Sequence, residues 1–178
     1  VAQRPFAPEF APDLVRLAAV LQELAGVTPV AVVLQPQRQP VFVRDFANAL
    51  GTTSTLGEKK FTLSLTGCDT ATAKKASAQF SSWAGSSSTE GGLLVPPANA
   101  QGSAKNVNLV LSNDGNTKTD LVKIDQTNNT QQATVDTSGA AKLYYKVAYT
   151  QGQGWDQTTN PVSAGTVQAQ VAFTMNYE

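Results

Sequence analysis

From Gly165 to Tyr177 the chain alternates in polarity. Val167, Ala169, Val171, Phe173, Met175 and Tyr177 are apolar, and Thr166, Gln168, Gln170, Thr174 and Asn176 between them are polar. Side chains on a strand point to opposite faces with a period of two, so a pattern held over six repeats defines one buried face and leaves no room for a helix. Ala172 alone is neutral to the pattern and suits either face. The spacing predicts a core strand over 165–177, closing a sandwich of sheets. Gly165 stands fourteenth from the C-terminus, and a single residue follows Tyr177.

Composition narrows the function classes. With 178 residues the chain is long enough for one domain with a proper core and short for two. Charged residues make up 15%, balanced at thirteen of each sign, so nothing steers the protein toward nucleic acid or an anionic membrane. Histidine is absent, and methionine and cysteine occur once each. The usual metal ligands and the Ser-His and Cys-His nucleophile systems are therefore missing, and the sequence predicts no enzyme, no metal and no cofactor. No apolar run approaches the length of a membrane span. No signal peptide opens at Val1, so the chain reads as either mature or lacking its export signal.

The chain changes character near residue 41. All four arginines lie in the first 44 positions, all nine lysines come from Lys59 onward, and residues 1–40 contain no serine or asparagine. Leu14, Leu17, Ala18, Leu21, Leu24 and Ala25 recur at helical spacing and predict a short amphipathic helix over 13–25. Val30 to Leu34 is β-branched, and Pro29 and Pro36 on either side keep any strand there short or at a sheet edge.

Beyond residue 41, short alternating runs separated by Gly, Asn, Asp, Ser and Thr predict an antiparallel sandwich. The expected strands are 41–46, 60–66, 75–83, 106–112, 120–125, 131–136, 141–150 and 165–177. Phe61, Leu63 and Leu65 form one core face, and Leu143, Tyr145, Val147 and Tyr149 another. Asn113-Asp114-Gly115-Asn116 reads as a turn, Gly152 to Pro161 as a longer connection, and Ser86 to Pro97 as a flexible connector. Asp114, Asp120, Asp125 and Asp136 are scattered acids beside no aromatic platform, which sets a glycosidase-type carboxylate pair aside. Of Trp83, Trp155, Tyr144 and Tyr149, most read as core. Trp155, between Gly154 and Asp156, is placed on a loop, either as a surface contact or folded over the sandwich edge.

Several separated pieces resemble the major pilins of type 1 fimbriae and their relatives. Phe61 to Thr70 looks like the family's strand running into its second cysteine, and Lys75 to Phe80 continues the match. Gly102 to Val107 resembles a mid-chain strand entry, and Leu143 to Thr150 followed by Gly165 to Tyr177 resembles the two closing strands. The likeness covers roughly 41–178. It implies an all-β, immunoglobulin-like antiparallel β-sandwich of pilin type, incomplete because it lacks its last strand. It implies a structural subunit of a bacterial surface fimbria that is exported through the periplasm, polymerises by donor-strand complementation and supports adhesion. The implied partners are a periplasmic pilus chaperone, an outer-membrane usher and neighbouring pilin subunits. Gly165, Val167, Ala169, Val171, Phe173, Met175 and Tyr177 would form the chaperone- and subunit-binding strand.

The sequence departs from that family in two places. Pilins of this type carry a disulfide, whereas Cys68 has no second cysteine to pair with, making it a buried thiol or an intermolecular cross-linking point. Residues 1–40 match neither the donor strand nor the first sandwich strand. They read as a frame-shifted start, or as a divergent donor region with Val30, Val32 and Leu34 as donor residues. The competing function is a secreted carbohydrate-binding sandwich module or adhesin, which would be complete and monomeric by itself.

Overall fold

The computed structural model describes residues 30–34, 45–46, 55–83, 86–88, 93–96, 102–115, 120–126 and 131–178. The helix expected over 13–25, residues 41–44 of the first expected strand, and Asn116 of the predicted turn lie outside them.

Among the described residues, nine strands form two antiparallel sheets. They are β1 (Val30–Leu34), β2 (Leu56–Leu65), β3 (Lys75–Trp83), β4 (Ser87–Ser88), β5 (Leu93–Val95), β6 (Val107–Asn113), β7 (Gln132–Thr134), β8 (Ala141–Gln151) and β9 (Ala169–Tyr177). One sheet runs β1-β9-β3-β7 and the other β2-β8-β6-β5-β4. The antiparallel sandwich expected from the alternating runs, of the immunoglobulin-like type that the resemblance implied, is the fold observed.

The core lies between the sheets because the period-two faces meet there. Phe80 of β3 sets its ring edge-on to Tyr145 of β8 at 5.1 Å and lies 6.0 Å from Phe173 of β9. Phe61 of β2 stacks on Tyr145 at 5.6 Å. Leu109 and Leu111 of β6, Leu143 and Val147 of β8, and Val171 of β9 complete the buried layer.

The Tyr145 ring is enclosed, and its hydroxyl finds no partner among the described residues. Burial alone drives the phenol's pKa upward, since no charge or hydrogen bond favours the ionised form. A buried hydroxyl without a partner has a desolvation cost and no compensating bond. Tyr145→Phe is therefore expected to raise stability by about 1 kcal/mol, read as a higher urea midpoint at unchanged slope. A loss of more than that amount would mean the hydroxyl is bonded in solution.

Several expectations need correction. Asp45 and Phe46 are helical rather than the end of a strand. Phe46 is buried, and its carbonyl accepts a hydrogen bond from the Gln151 side chain. Residues 120–125 form no strand: Leu121 makes an isolated bridge with Ser112, and Asp125 turns in a left-handed conformation (φ 64°). That turn is a latch. The Asp125 carboxylate accepts bonds from the Ser82 amide (2.8 Å) and the Ser88 hydroxyl (2.5 Å), and the Asp125 amide donates to the Phe80 carbonyl (2.9 Å). The Ser86–Pro97 connector contains β4 and β5, which extend the five-stranded sheet beyond β6. Runs this short show too few repeats for a period to be seen. The expected strand 131–136 contracts to Gln132–Thr134.

Trp83 and Tyr144 are not core residues; they are 48% and 43% exposed. Parity explains both. Phe80 faces inward, so Trp83, three positions on, falls on the outer face of β3; Tyr144 sits between inward Leu143 and Tyr145. The Tyr144 backbone is still ordered. β6 ends at Asn113, and the buried Gln131 side chain takes over its pairing, donating to the Tyr144 carbonyl and accepting from the Tyr144 amide, both at 2.7 Å.

The loops depend on carboxylates. Asp136 accepts from Ser138 and Ala140, Asp156 from Thr158 and Thr159, and Asp69 from Ala71 and Thr72. Hydrogen bonds to the ionised form hold all three carboxyls below the usual range: first the Ser138 hydroxyl for Asp136, and first the Thr159 and Ala71 amides for Asp156 and Asp69. At Asp125, desolvation is the largest single effect and acts upward, but the bonds from Ser88 and Ser82 together outweigh it and the carboxyl is also depressed.

A depressed carboxyl contributes stability that is present above its unfolded pKa and is lost as pH falls through the folded one. The chain contains no histidine. Stability is thus expected to stay level from about pH 5 to 8 and to fall below about pH 4, where the unfolded chain binds more protons. Urea midpoints across that range check this, and a decline already between pH 7 and 5 would contradict it.

Candidate strand-pairing site

β9 is held on both edges. On one side Ala76–Trp83 of β3 pairs with residues from Tyr177 back to Gln170. On the other, β1 pairs antiparallel, with Val30 opposite Phe173, Val32 opposite Val171 and Leu34 opposite Ala169. The strand therefore runs through the sheet interior over its first five residues, although its partner on one edge comes from the far end of the sequence.

The direction of each backbone group follows from the flanking bonds. The Lys75 and Glu178 amides each donate to the other's carbonyl (2.8 and 3.0 Å), so even-numbered residues of the last strand turn toward β3. The Phe80 carbonyl accepts from Asp125, so Phe80 and its opposite residue Phe173 do not pair with each other. Alternation then turns the amides and carbonyls of Ala169, Val171, Phe173, Met175 and Tyr177 to the β1 side. β1 covers the first three of these. No described residue pairs with Met175 or Tyr177 on that edge.

Side chains of the predicted strand divide by depth. Val167, Ala169, Val171 and Phe173 are buried in the main core, and Met175 is half-buried against a smaller cluster formed by Ala76, Val135 and Ala141. Tyr177 is 52% exposed. The buried face expected over the whole stretch thus fades toward the C-terminus, because the sandwich interior ends before the strand does. Regular pairing starts at Ala169, so Gly165 and Val167 precede β9.

Gly165 has a different task. The chain here crosses the backbone of 102–104: the Thr166 amide donates to the Gly102 carbonyl (2.8 Å), and the Ala104 amide donates to the Thr166 carbonyl (3.0 Å). A Cβ on Gly165 would lie 2.3 Å from the Ala104 nitrogen and 2.5 Å from the Ser103 carbonyl carbon. Only glycine permits that approach. Nothing in the local pattern named Gly102–Ala104 as its counterpart.

Cys68 is half-buried, not fully enclosed. Its amide donates to the Gly139 carbonyl (3.0 Å), and it borders an open depression of about 320 Å³ lined also by Thr66, Gly67, Asp69, Thr72 and Tyr177. Partial burial raises the Tyr177 phenol's pKa, with a smaller contribution from Cys68. Trp155 leans half-buried on the main core, its amide donating to the Gly152 carbonyl (3.1 Å), which is the folded-over arrangement. The scattered acids do not converge on one another: Asp114 pairs with Lys60 at 2.9 Å, and Asp125 and Asp136 serve their own turns. Among the described residues no group of three or more Cys, Asp or Glu is placed to hold a metal ion.

Two antiparallel sheets packed face to face, with the last strand lying along the core between β1 and β3, define the class of immunoglobulin-like sandwiches. The chain belongs to the fimbrial protein family, whose model, described as Fimbrial protein, matches residues 39–178. That match begins close to the change of composition near residue 41. Among the solved structures that share the fold are two fimbrial proteins. One is the CupB6 tip adhesin from Pseudomonas aeruginosa, at TM-score 0.56 and 18% identity, covering 73% of this chain and 33% of the adhesin chain. The other is a Burkholderia pseudomallei antigen and type I fimbria protein, at TM-score 0.53 and 21% identity, covering 97% and 94% of the two chains. This chain thus spans about a third of the adhesin's length. No curated protein matches.

Proposed function

We propose that the protein is a structural, non-catalytic subunit of a surface fimbria that polymerises by donor-strand complementation, with β9 as its assembly strand. The observation that carries this reading is the outer edge of β9, which accepts a five-residue antiparallel strand from a segment distant in sequence. A sandwich edge of this kind exposes unpaired amides and carbonyls beside apolar core, a liability that another strand removes by pairing and by filling alternate positions. A periplasmic chaperone would supply that strand during export, an outer-membrane usher would order the exchange, and a neighbouring subunit would supply it in the fibre. Ala169, Val171, Phe173, Met175 and Tyr177 would direct their backbone groups to the incoming strand. Residues 1–40 would then be a donor region and 41–178 the sandwich.

The test is periplasmic co-expression with a pilus chaperone and usher, followed by pull-down and electron microscopy of the cell surface. A chaperone complex and surface fibres are expected, with both reduced by Tyr177→Ala, whose exposed ring contributes little to the core. Absence of both complex and fibre from a folded chain would sink the proposal. A second reading, a carbohydrate-binding module, draws on the exposed Trp83 with Gln170 directly opposite on β9. Aromatic faces stack on apolar sugar faces, and glycan-array binding lost in Trp83→Ala would favour it.

A further inference from the structure

We infer that the groove between β7 and the start of β8 is a binding site for a neutral hexose, taken as a mono- or disaccharide, with Tyr144 as the stacking platform and Lys142 and Asp136 as the pair that holds its hydroxyls. β7 and β1 are opposite edges of the four-stranded sheet. The inference therefore goes beyond the strand-pairing reading of β9 and does not rest on it.

Three observations carry it. The first is a space built into the fold. β7 belongs to the four-stranded sheet and β8 to the five-stranded one, and the 136–140 turn joins them, with the Asp136 amide donating to the Ala140 carbonyl (2.9 Å). From that turn the two arms part, until the Gln131 side chain bridges across to the Tyr144 backbone. Between turn and bridge lies a groove of about 350 Å³, lined in part by Ala133, Ala140 and Ala141, whose small side chains leave it open. That volume is at the small end of ligand sites and suits one or two sugar rings. An extended peptide is a poorer occupant, because turn and bridge close the groove at its ends and β7 offers only three residues for pairing.

The second is the set of polar groups left free around it. The Asp136 carboxylate accepts the Ser138 amide (2.8 Å), the Ser138 hydroxyl (2.6 Å) and the Ala140 amide (3.0 Å) all on Oδ1. Its Oδ2 has no partner among the described residues. Lys142 lines the same groove, yet its ammonium pairs with neither Asp136 nor another described carboxylate. The backbone adds to the set. The Val135 amide donates to the Lys74 carbonyl (3.0 Å), so alternation turns the Thr134 amide and carbonyl to the open edge of β7. The Tyr144 bonds to Gln131 turn the backbone groups of Lys142 to the same side of β8.

The third is Tyr144 itself. Its ring is 43% exposed at the groove, while its backbone is fixed by Gln131 and by the Asp114 amide (2.8 Å). A pyranose has an apolar C–H face that stacks on such a ring, and a rim of hydroxyls that each donate and accept. A carboxylate oxygen that only accepts and an ammonium that only donates, not paired with each other, match neighbouring hydroxyls on that rim. Their charges cancel, so the groove favours a neutral sugar over an anion or a cation.

The test is an NMR titration of the full ¹⁵N-labelled chain with lactose, maltose, cellobiose and diacetylchitobiose. Saturable shifts centred on Thr134, Lys142 and Tyr144 are expected with at least one of them, at a Kd of about 1 mM. Tyr144→Ala should weaken that binding about tenfold, whereas Tyr144→Phe keeps the platform and most of the affinity. Lys142→Gln, at an exposed position, should weaken it about fivefold and gives a second readout if Tyr144→Ala fails to fold. No saturable shift with any of the four sugars would overturn the inference. Shifts centred on Trp83 and Gln170, or equal affinity in wild type, Tyr144→Ala and Lys142→Gln, would overturn it as well. Sugar binding by a chain that forms no chaperone complex or fibre would leave this site standing and remove the fimbrial role.

Discussion

Gly165→Ala is expected to abolish accumulation of folded protein, or to lower its stability by about 4 kcal/mol or more. The added methyl would sit 2.3 Å from a backbone nitrogen and 2.6 Å from the Gly102 carbonyl oxygen, and neither atom belongs to a flexible side chain that could swing away. Relief requires the two backbone segments to part, which breaks the Thr166–Gly102 and Ala104–Thr166 hydrogen bonds. It also shifts Val167, the first buried residue on the way into β9. A loss of that size is comparable to the whole stability of a small domain. Gly154→Ala is the matched control. Gly154 adopts a left-handed conformation (φ 77°) with open space around its missing side chain, so the cost is backbone strain alone, about 1 kcal/mol. Soluble yield and urea midpoints of the two variants decide the matter; equal behaviour would show that the crossing at 102–104 is looser than its geometry implies.

Phe80→Ala is expected to cost about 3–5 kcal/mol. Its ring bridges the sheets, meeting Tyr145 edge-on and Phe173 at a tilt, and it is 1% exposed, so truncation leaves a cavity that close-packed neighbours refill only in part. The functional consequence follows from Phe173, which loses a neighbour on the strand proposed for assembly. Trp83→Ala on the same strand should change stability by less than about 1 kcal/mol, since that ring stands on the outer face. Two aromatic residues three positions apart thus differ by several kcal/mol, and a urea titration of each measures the contrast. Comparable losses would mean that Trp83 is covered in solution.

Much of the sandwich was legible because long strands with one buried face record it as alternation. β3 coincides with the expected 75–83, and β8 adds one residue to the expected 141–150. Phe61, Leu63, Leu143, Tyr145 and Val147 lie where their parity put them, in or against the core. The short elements were not legible. β4 has two residues and β5 three, too few for a period, and their composition reads as turn. Residues 120–125 carry β-branched and apolar side chains, and Val122 and Ile124 are buried, but the stretch is held by the Asp125 latch and a single bridge to Ser112. Burial there comes without a strand.

The C-terminal stretch shows the division most clearly. Its alternation alone determined that Ala169, Val171 and Phe173 face the core, because the pleat admits no other arrangement of an apolar set at every second position. The absence of histidine and the balanced charge likewise turned the expectation away from histidine-based catalysis and nucleic-acid binding before any fold was known. Sequence alone did not determine where the buried face ends, what Gly165 touches, or which segment lies along the outer edge of β9. Each of these depends on contacts between residues far apart in the chain: Gly165 with 102–104, Phe173 with Phe80, and Val171 with Val32. A local pattern specifies a residue's face, but the partner on that face is set by how the sheets pack, and by which stretch of chain closes over the edge.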